Sequence, residues 1–248
     1  MKSFKDIKKA LSLGILGPMV VVLQGCATGP NANPADPMEP LNRAIFGFND
    51  SLDRALVRPL AVAYDQAVPV LVQKGIGNFF GNISDVWSVA NNVLQFKPKE
   101  AAEMFLRVGF NTLFGFAGIV DIGTELRLPK NRQDFGQTLG VWGVNPGPYV
   151  VLPILGPSSV RDTVGSAVNL NVDLVGNLRN IPLRNSLQAV RAVDKRAEFL
   201  DTTNALDQAA LDRYTFARDV YLHRRASSIG NQIEVKEERF DLPAPAAK

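Results

Sequence analysis

The sequence predicts a mainly α-helical single domain whose helices lie at a membrane interface, and three observations support this. Apolar residues recur three and four positions apart in several windows, which is the period of one helix face. Strand-like alternation is absent except over Tyr149–Leu152. The most apolar segment, residues 104–120, is broken by Arg107, Asn111 and three glycines, so it is a poor spanning helix. A length of 248 residues fits one domain or two.

The N-terminus has the order of a secretory signal. Four lysines precede an apolar run over residues 10–23, and Leu23-Gln24-Gly25-Cys26 follows. Cys26 stands where a lipoprotein signal peptidase requires it, with the polar Gln24 as the one departure from the usual bacterial lipobox. The alternatives are an ordinary signal peptide with a chance cysteine, or a short membrane anchor. We expect residues 1–25 to be removed and Cys26 to carry acyl chains, each buried methylene contributing about 0.8 kcal/mol.

Charge and cysteine content exclude several functions. Residues 1–25 hold four of the 27 basic residues and one of the 24 acidic ones, so 23 of each remain after cleavage. A formal net charge of zero gives no support for nucleic-acid binding. Cys26 is the single cysteine, so its lipidation leaves no thiol for a disulfide, for catalysis or for a metal.

Residues 26–38 are rich in Gly, Pro, Asn and Ala, and we interpret them as a lipidated tether. The body is predicted over 39–225. Its first helix begins at Pro40 and ends at Pro59, with one stripe formed by Leu41, Ile45, Phe48, Leu52 and Leu56. Shorter helices are expected over 60–68, over 70–80 with interruptions at Gly75 and Gly77, and from Ser84, as N-cap, to Leu94.

The segment that begins at Pro98 is predicted as a helix, a Gly-rich turn and a second apolar piece. From Met104 to Val120 only Arg107 is charged. We expect this hairpin to dip into one membrane leaflet. Whether the 104–120 face contacts lipid or protein stays open.

Residues 134–157 contain five glycines and four prolines, a density that excludes a long helix and requires specific turns. Apolar residues between them indicate a packed segment. Ser158 or Ser159 is expected to cap the next helix, with Asp162 in its first turn. Two amphipathic helices follow, over about 182–200 and 205–225, and residues 226–248 are predicted to be a disordered tail.

No catalytic set is found. The chain has neither a G-x-S-x-G elbow nor a phosphate-binding loop, and Phe80 replaces the third glycine after Gly75-Ile-Gly77. The one histidine, His223, is interpreted as a solvated residue near a helix end. The aspartates Asp121, Asp134, Asp162 and Asp173 are interpreted as turn or cap residues. We therefore predict no enzyme activity, no metal and no cofactor.

Two stretches carry a family resemblance. One runs through Asp36-Pro37-Met38-Glu39-Pro40-Leu41-Asn42-Arg43 to Phe48-Asn49. The other runs from Asp134-Phe135-Gly136-Gln137 through Gly140, Trp142-Gly143, Gly147-Pro148-Tyr149 and Gly156-Pro157 to Arg161-Asp162. Over about residues 36–222 the sequence resembles the MlaA (VacJ) family of outer-membrane lipoproteins, with Pro40 where the family often has Gly.

The resemblance implies a ring-like helical protein in the periplasmic leaflet of the outer membrane of a Gram-negative bacterium. It implies an amphipathic channel that takes phospholipid misplaced in the outer leaflet and passes it to a soluble periplasmic carrier (MlaC-like), maintaining lipid asymmetry. It also implies association with a trimeric porin. Ala27, in place of the Asp that retains lipoproteins in the inner membrane of enteric bacteria, agrees with an outer-membrane address.

We place the lipid path in the Gly/Pro segment, because glycine turns let a lipid approach the backbone closely. The candidate residues are Gly136, Gly140, Trp142, Gly143, Gly147, Tyr149 and Arg161. Arg161, Arg43 or Arg127 can meet a phosphate, although a surface or interhelical ion pair is the simpler role for each. A structural lipoprotein that only scaffolds porins, or an envelope lipase, remains the alternative function.

Overall fold

The computed structural model describes residues 33–230. The predicted signal peptide, the lipidation site at Cys26 and most of the predicted tail lie outside the described residues. Within them the chain forms, in order, α1 (Glu39–Leu52), a π-helical turn (Asp53–Val57), α2 (Arg58–Ala67), α3 (Val70–Leu94), α4 (Pro98–Leu113), α5 (Ile122–Glu125), α6 (Phe135–Val141), β1 (Tyr149–Leu152), β2 (Gly156–Ser159), α7 (Val160–Val172), α8 (Ile181–Glu198), α9 (Leu200–Ala209) and α10 (Arg213–Ile229). The prediction of a mainly α fold is confirmed.

Proline does not end the first helix as predicted. The chain passes from α1 through the π-helical turn directly into α2, and Pro59 occupies the first turn of α2. In the π-helical turn the Arg58 N–H donates to the Asp53 carbonyl five residues earlier, so the regular i−4 pattern is already displaced where Pro59, which has no N–H, follows. Pro59 therefore marks a change of helical register instead of a boundary.

The two helices predicted over 70–94 are one continuous helix of 25 residues, α3. Gly75 does not interrupt it, since its missing side chain makes room for a neighbour: a Cβ there would lie 3.0 Å from Cγ2 of Ile119. The hydroxyl of Ser84 donates to the carbonyl of Phe80 inside the helix and caps nothing. Gly75 therefore allows α3 to pack closely on the turn that follows α4, whereas Gly77 faces Asp194 of α8.

The helix α4 buries two polar residues together with Ala101 and Met104. Arg107 and Asn111 are buried, whereas Phe105, Leu113 and Phe114 are exposed. The Arg107 guanidinium donates to the Leu128 carbonyl at 2.7 Å and to Asp121 and Thr124, which fixes the 121–128 loop beneath the helix. The predicted turn follows, with positive φ at residues 116, 117 and 118.

The Gly/Pro segment contains a short helix and a β-hairpin. Asp134 caps α6 in a capping box with Gln137. The predicted strand β1 is confirmed, and it pairs antiparallel with β2, which was not predicted, with Tyr149 opposite Ser159. Ser159 then caps α7, as expected, by accepting a hydrogen bond from the Asp162 N–H at 3.2 Å.

The second C-terminal helix was predicted over 205–225 but is divided. The helix α9 ends at Ala209, and Asp212 caps α10 by accepting from the N–H groups of Tyr214 and Thr215. The boundary of the predicted tail at 225 is four residues early, because α10 continues to Ile229. Gly230, at φ +84°, ends it in the left-handed conformation favoured after helices.

The packed elements form a closed cycle. The π-helical turn joins α1 to α2; α2 packs on α8, α8 on α3, α3 on α6, α6 on α10, and α10 on β2, while β1 returns to α1. In the described part nine hydrophobic residues are buried against seventeen polar or charged ones. The hydrophobic cluster found there is small: Tyr149, Val151 and Tyr214 pack together where β1, α10 and α1 meet. None of the helices described here is both long and apolar enough to cross a membrane.

Candidate functional site

A cavity of about 650 Å³ lies between the first half of α3, the C-terminal half of α8 and the segment 130–132. We call it the α3–α8 cavity. Its wall combines charged, polar and apolar groups, contributed by Val70, Gln73, Lys74, Gly77, Asn78, Phe80, Gly81, Ser84, Lys130, Arg132, Arg191, Asp194, Lys195 and Glu198. Two of its features are a cationic group beside Gly81 of α3 and a carboxylate beside Gly77, four residues earlier on the same helix.

The cationic group is held by a buried carboxylate. Asp85, on α3, accepts from Nε of Arg132 at 2.9 Å and lies 3.7 Å from Nζ of Lys130. Both cations extend over Gly81, where a Cβ would lie 2.6 Å from Nη2 of Arg132 and 3.6 Å from Nζ of Lys130. Burial lowers the pKa of Lys130 although Asp85 opposes the shift. Asp85 thus positions two cations whose outer N–H groups face the cavity.

Arg191 completes this side of the cavity from α8. Its Nη1 donates to Asp173 at 2.9 Å and its Nη2 to the Ser84 hydroxyl at 3.0 Å. The guanidinium carbon lies 6.0 Å from the ring centre of Phe80, within the range of a cation–π contact. Arg191 is therefore oriented by α3 and α7 together.

The carboxylate of Asp194 lies beside Gly77, one turn from Gly81 on α3. Its Oδ1 accepts from the Tyr64 hydroxyl at 2.7 Å, and its Oδ2 faces Gly77, where a Cβ would lie 3.5 Å from it. Burial raises the pKa of Asp194, opposed by the Tyr64 hydrogen bond. Glu198, the next carboxylate on α8, is paired with Lys195 at 2.8 Å.

Part of the cavity wall is apolar. Val70 lines it and is largely exposed, and the neighbouring Leu71 is 81% exposed. Charged and polar side chains make up most of the wall, and Val70 and Phe80 are its large apolar residues. This arrangement can hold a ligand that has a charged head and an apolar remainder.

The predicted lipid-path residues lie apart from this cavity. Gly136 and Gly140 serve close packing: a Cβ at 136 would lie 2.7 Å from Asp162, and one at 140 would lie 2.6 Å from Ile229. Tyr149 is fully buried, and Arg161 is buried beside Asp162. The Trp142 indole N–H donates to the Leu94 carbonyl at 2.9 Å.

Gly143 and Gly147 adopt φ +90° and +67°, which confirms that some glycines of this segment need the left-handed region. Gly140, Gly143 and Arg161 border a recess of about 320 Å³. Their predicted role in a lipid path stays a prediction. The geometry gives Gly136 and Gly140 a packing role.

The N-terminal motif supports β1. Asn42 donates to the Tyr149 carbonyl at 3.0 Å and accepts from the Val151 N–H at 2.9 Å. Asn49, two turns further along α1, donates to the Leu152 carbonyl at 2.9 Å and accepts from the Ile154 N–H at 2.7 Å. The two amides occupy the position of a neighbouring strand, so the outer edge of β1 is paired.

Other residues of this motif join α1 to α10. Asp36 is buried and accepts from Asn42, from the Tyr214 hydroxyl and from Arg218. Arg43 pairs with Glu39 and Asp212 at 2.7 Å each. Pro37 directly follows Asp36, and Phe48 is exposed on α1.

Helix α10 also holds the second motif. Arg225 donates to Asp134 at 2.6 and 3.0 Å and to Asp162 at 2.8 Å. Burial acts to raise the pKa of Asp162, but hydrogen bonds from Arg225, Arg161 and Tyr221 outweigh it and hold that pKa well below its usual range. The simpler role for Arg43 and Arg161, an ion pair, is thus what the structure contains.

Sequence reasoning missed the cavity residues. Lys130 and Arg132 stand in a loop with no periodic pattern, and Asp194 falls within an ordinary amphipathic helix. The sequence feature that could have indicated the cavity is the pair Gly77 and Gly81, which lie one turn apart on α3 and leave room for the cavity groups. Among residues 33–230 no group of three His, Cys, Asp or Glu side chains could hold a metal ion.

Comparison with known proteins agrees with this architecture. The family model described as MlaA lipoprotein matches residues 34–228. The chain is 32% identical over 234 residues to the intermembrane phospholipid transport system lipoprotein MlaA of Escherichia coli K12, covering 92% of each chain. It is 31% identical over 236 residues to the protein of that name from Haemophilus influenzae, covering 89% of this chain and 92% of the relative.

A solved structure described as "Structural basis for maintenance of bacterial outer membrane lipid asymmetry" is similar to this chain with a TM-score of 0.68 and 32% identity. The match covers 78% of this chain and 98% of the solved one. The family match spans most of the chain, and the sequence and structural comparisons agree. The chain therefore belongs to the MlaA lipoprotein family.

Proposed function

We propose that this protein is an outer-membrane lipoprotein that removes mislocalised phospholipids from the outer leaflet and so maintains lipid asymmetry. The observation that carries the proposal is the α3–α8 cavity, which places cations and apolar surface side by side. A phospholipid needs both along its route, because its phosphate requires donors and its acyl chains require apolar contact. The names of the relatives from E. coli and H. influenzae support the same function.

The apolar groups on the outside of the helices support a position in the membrane. Phe116, at the turn after α4, is 77% exposed, and Leu113 and Phe114 beside it are also exposed. Phe96 and Ile154 extend from turns at positive φ and are exposed too. Contiguous exposed apolar surface marks a membrane or protein contact. The arrangement we propose is contact with one leaflet, the periplasmic one.

The anchor and the partners complete the proposal. Acylated Cys26 holds the chain on the outer membrane, and the phospholipid leaves the cavity for a soluble periplasmic carrier. A trimeric porin is the proposed neighbour in the membrane. These partners follow from the family resemblance of the two motifs.

The test uses cells that lack this protein and carry either the wild-type chain or a cavity variant. We expect Gly77→Trp, which fills the cavity beside Asp194, to leave phospholipid in the outer leaflet at normal protein abundance. Gly47→Trp is the matched control, because Gly47 is exposed on α1 and a Cβ there meets no atom within 4 Å. Outer-leaflet phospholipid is measured by surface labelling, with abundance followed by immunoblotting.

The same purified full-length protein is then incubated with acyl-labelled phospholipid. Intact bound lipid supports transport. Cleaved lipid would instead indicate a lipase. If the protein binds no lipid and its loss leaves the outer leaflet unchanged, the scaffold alternative replaces the proposal.

A further inference from the structure

Opposite charges line the α3–α8 cavity beside two glycines of α3. Nη2 of Arg132 and Nζ of Lys130 lie over Gly81, whereas Oδ2 of Asp194 lies beside Gly77. The two glycines are four residues apart on α3, a rise of about 6 Å along the axis. The cationic pair and the carboxylate therefore lie at two glycines that are one helical turn apart, and neither glycine has a side chain that would separate these groups from the cavity.

Each of these groups keeps hydrogen-bonding capacity toward the cavity. Arg132 donates its Nε–H to Asp85, and the N–H groups at the outer edge of the guanidinium are left to bind a ligand. Asp194 uses Oδ1 on Tyr64, and no described donor is within hydrogen-bonding distance of Oδ2. The structural partners, Asp85 and Tyr64, lie behind the groups and hold them in place.

We propose that the α3–α8 cavity selects a phosphoethanolamine headgroup, with the phosphate on Arg132 and Lys130 and the ammonium on Asp194. This inference rests on the proposed function, since it names the phospholipid class that the same cavity takes. Phosphate and amine are joined by a two-carbon bridge, which lets them reach charges that lie beside glycines one helical turn apart. An ammonium brings three N–H donors to the carboxylate, whereas the glycerol head of phosphatidylglycerol brings only neutral hydroxyls.

The apolar part of the wall distinguishes a lipid from a soluble phosphate ester. Val70 and Phe80 line the same cavity, and Leu71, which follows Val70 on α3, is exposed. The acyl-bearing end of a lipid gains this contact and a free glycerophosphoethanolamine does not. We therefore expect the lipid to bind more tightly than the soluble ester.

The first measurement needs no variant. Full-length lipidated protein in detergent is loaded with an acyl-labelled phospholipid, which is displaced by phosphatidylethanolamine or phosphatidylglycerol of identical acyl chains. We expect phosphatidylethanolamine to bind about five- to tenfold more tightly, tenfold being about 1.4 kcal/mol. N-acetylation of its amine should abolish the preference. Glycerophosphoethanolamine should displace the label only weakly, and equal displacement would overturn the lipid assignment.

The second measurement changes the carboxylate. Asp194→Asn keeps an acceptor for Tyr64 and should reduce the preference to about twofold or less, while Asp194→Glu should retain most of it. Asp65→Asn is the matched control, because Asp65 is an exposed carboxylate on the neighbouring α2 that does not line the cavity. This control should keep the wild-type preference.

The outcomes separate this inference from the function on which it rests. Binding of both lipids with equal affinity by the wild-type protein would overturn the headgroup assignment and leave lipid transport intact. An unchanged preference in Asp194→Asn would assign the selectivity to another group and overturn the role of Asp194. Failure to bind either lipid would count against lipid transport itself.

Discussion

Asn42→Ala tests how β1 is held on the helical frame. The Asn42 amide is buried and pairs with the Tyr149 carbonyl, the Val151 N–H and Asp36. Alanine leaves both backbone groups of β1 buried without a partner, and each such group costs roughly 1–3 kcal/mol. Asp36 keeps its hydrogen bonds from Tyr214 and Arg218, so losing its contact with Asn42 adds little to the loss of stability. We expect a loss of about 3–5 kcal/mol, a large part of the stability of a typical domain.

Asn49→Ala is the matched control for Asn42→Ala. Asn49 makes the same pair of backbone hydrogen bonds two turns further along α1, but its partners are partly exposed. Water can replace the lost amide there, so we expect a loss of about 1–2 kcal/mol.

Unfolding of both proteins in detergent, followed by circular dichroism, gives the comparison. A loss of 3–5 kcal/mol corresponds to a fall in Tm of about 10 °C for a chain of this length. Equal losses in the two variants, or a loss under about 1 kcal/mol for Asn42→Ala, would refute the role given to burial.

Four further predictions follow from other parts of the chain. Cys26→Ser should leave an uncut or soluble precursor, because only the thiol accepts a diacylglycerol; normal mature mass in the outer membrane would contradict it. Since the pKa of Asp162 is held low in the folded state despite burial, its contribution to stability is complete above about pH 4 and is lost as the pH falls further; Asp162→Asn should flatten the acid limb of an unfolding-versus-pH series. Phe116→Ser should loosen membrane association and change Tm by only a few degrees, whereas a steep fall in Tm would show that Phe116 is core. Gly143→Val, strained at φ +90° but free of close contacts, should lower abundance by backbone strain; normal abundance with stranded outer-leaflet phospholipid would place it on the lipid path.

Local signals predicted several elements well. The start of α8 was placed within one residue, because Pro182 favours a first turn, and Asn180 supplies the cap there. The alternating apolar pattern over Tyr149–Leu152 was sufficient to predict β1, and Ser159 was sufficient to predict the start of α7. In each case the determining contacts lie within a few residues of one another, so the sequence contains them.

Other features depend on partners distant in sequence. Pro59 and Gly75 have the ordinary meaning of helix breakers, and only a π-helical turn in one case and a neighbouring Ile119 in the other give them different roles. The cavity could not be predicted for the same reason. Its cations at 130 and 132 are positioned by Asp85, 45 residues or more away, and no spacing rule connects them.

The distribution of polarity explains why composition alone could not decide what the apolar residues do. In α4 the buried side carries Arg107 and Asn111 beside Ala101 and Met104, while large apolar residues such as Phe105 and Leu113 are outside. A periodic apolar stripe fixes that a helix is two-sided, but it does not determine which side faces the rest of the protein. In water the apolar side would be buried; against lipid both arrangements are possible, because lipid tails accept apolar surface as readily as a core does.

This inversion assigns different tasks to the two kinds of residue. Hydrogen bonds of buried amides and ion pairs, such as Asn42 with β1 and Arg225 with Asp162, join the elements of the closed cycle. In the membrane position proposed above, the outward apolar groups contribute to where the protein lies more than to whether it folds. Polar substitution outside and apolar substitution inside should therefore have opposite effects: Phe116→Ser changes location with little change in stability, and Asn42→Ala changes stability with little change in location. A wall built in this way can stay folded around a polar cavity while its other surface contacts lipid.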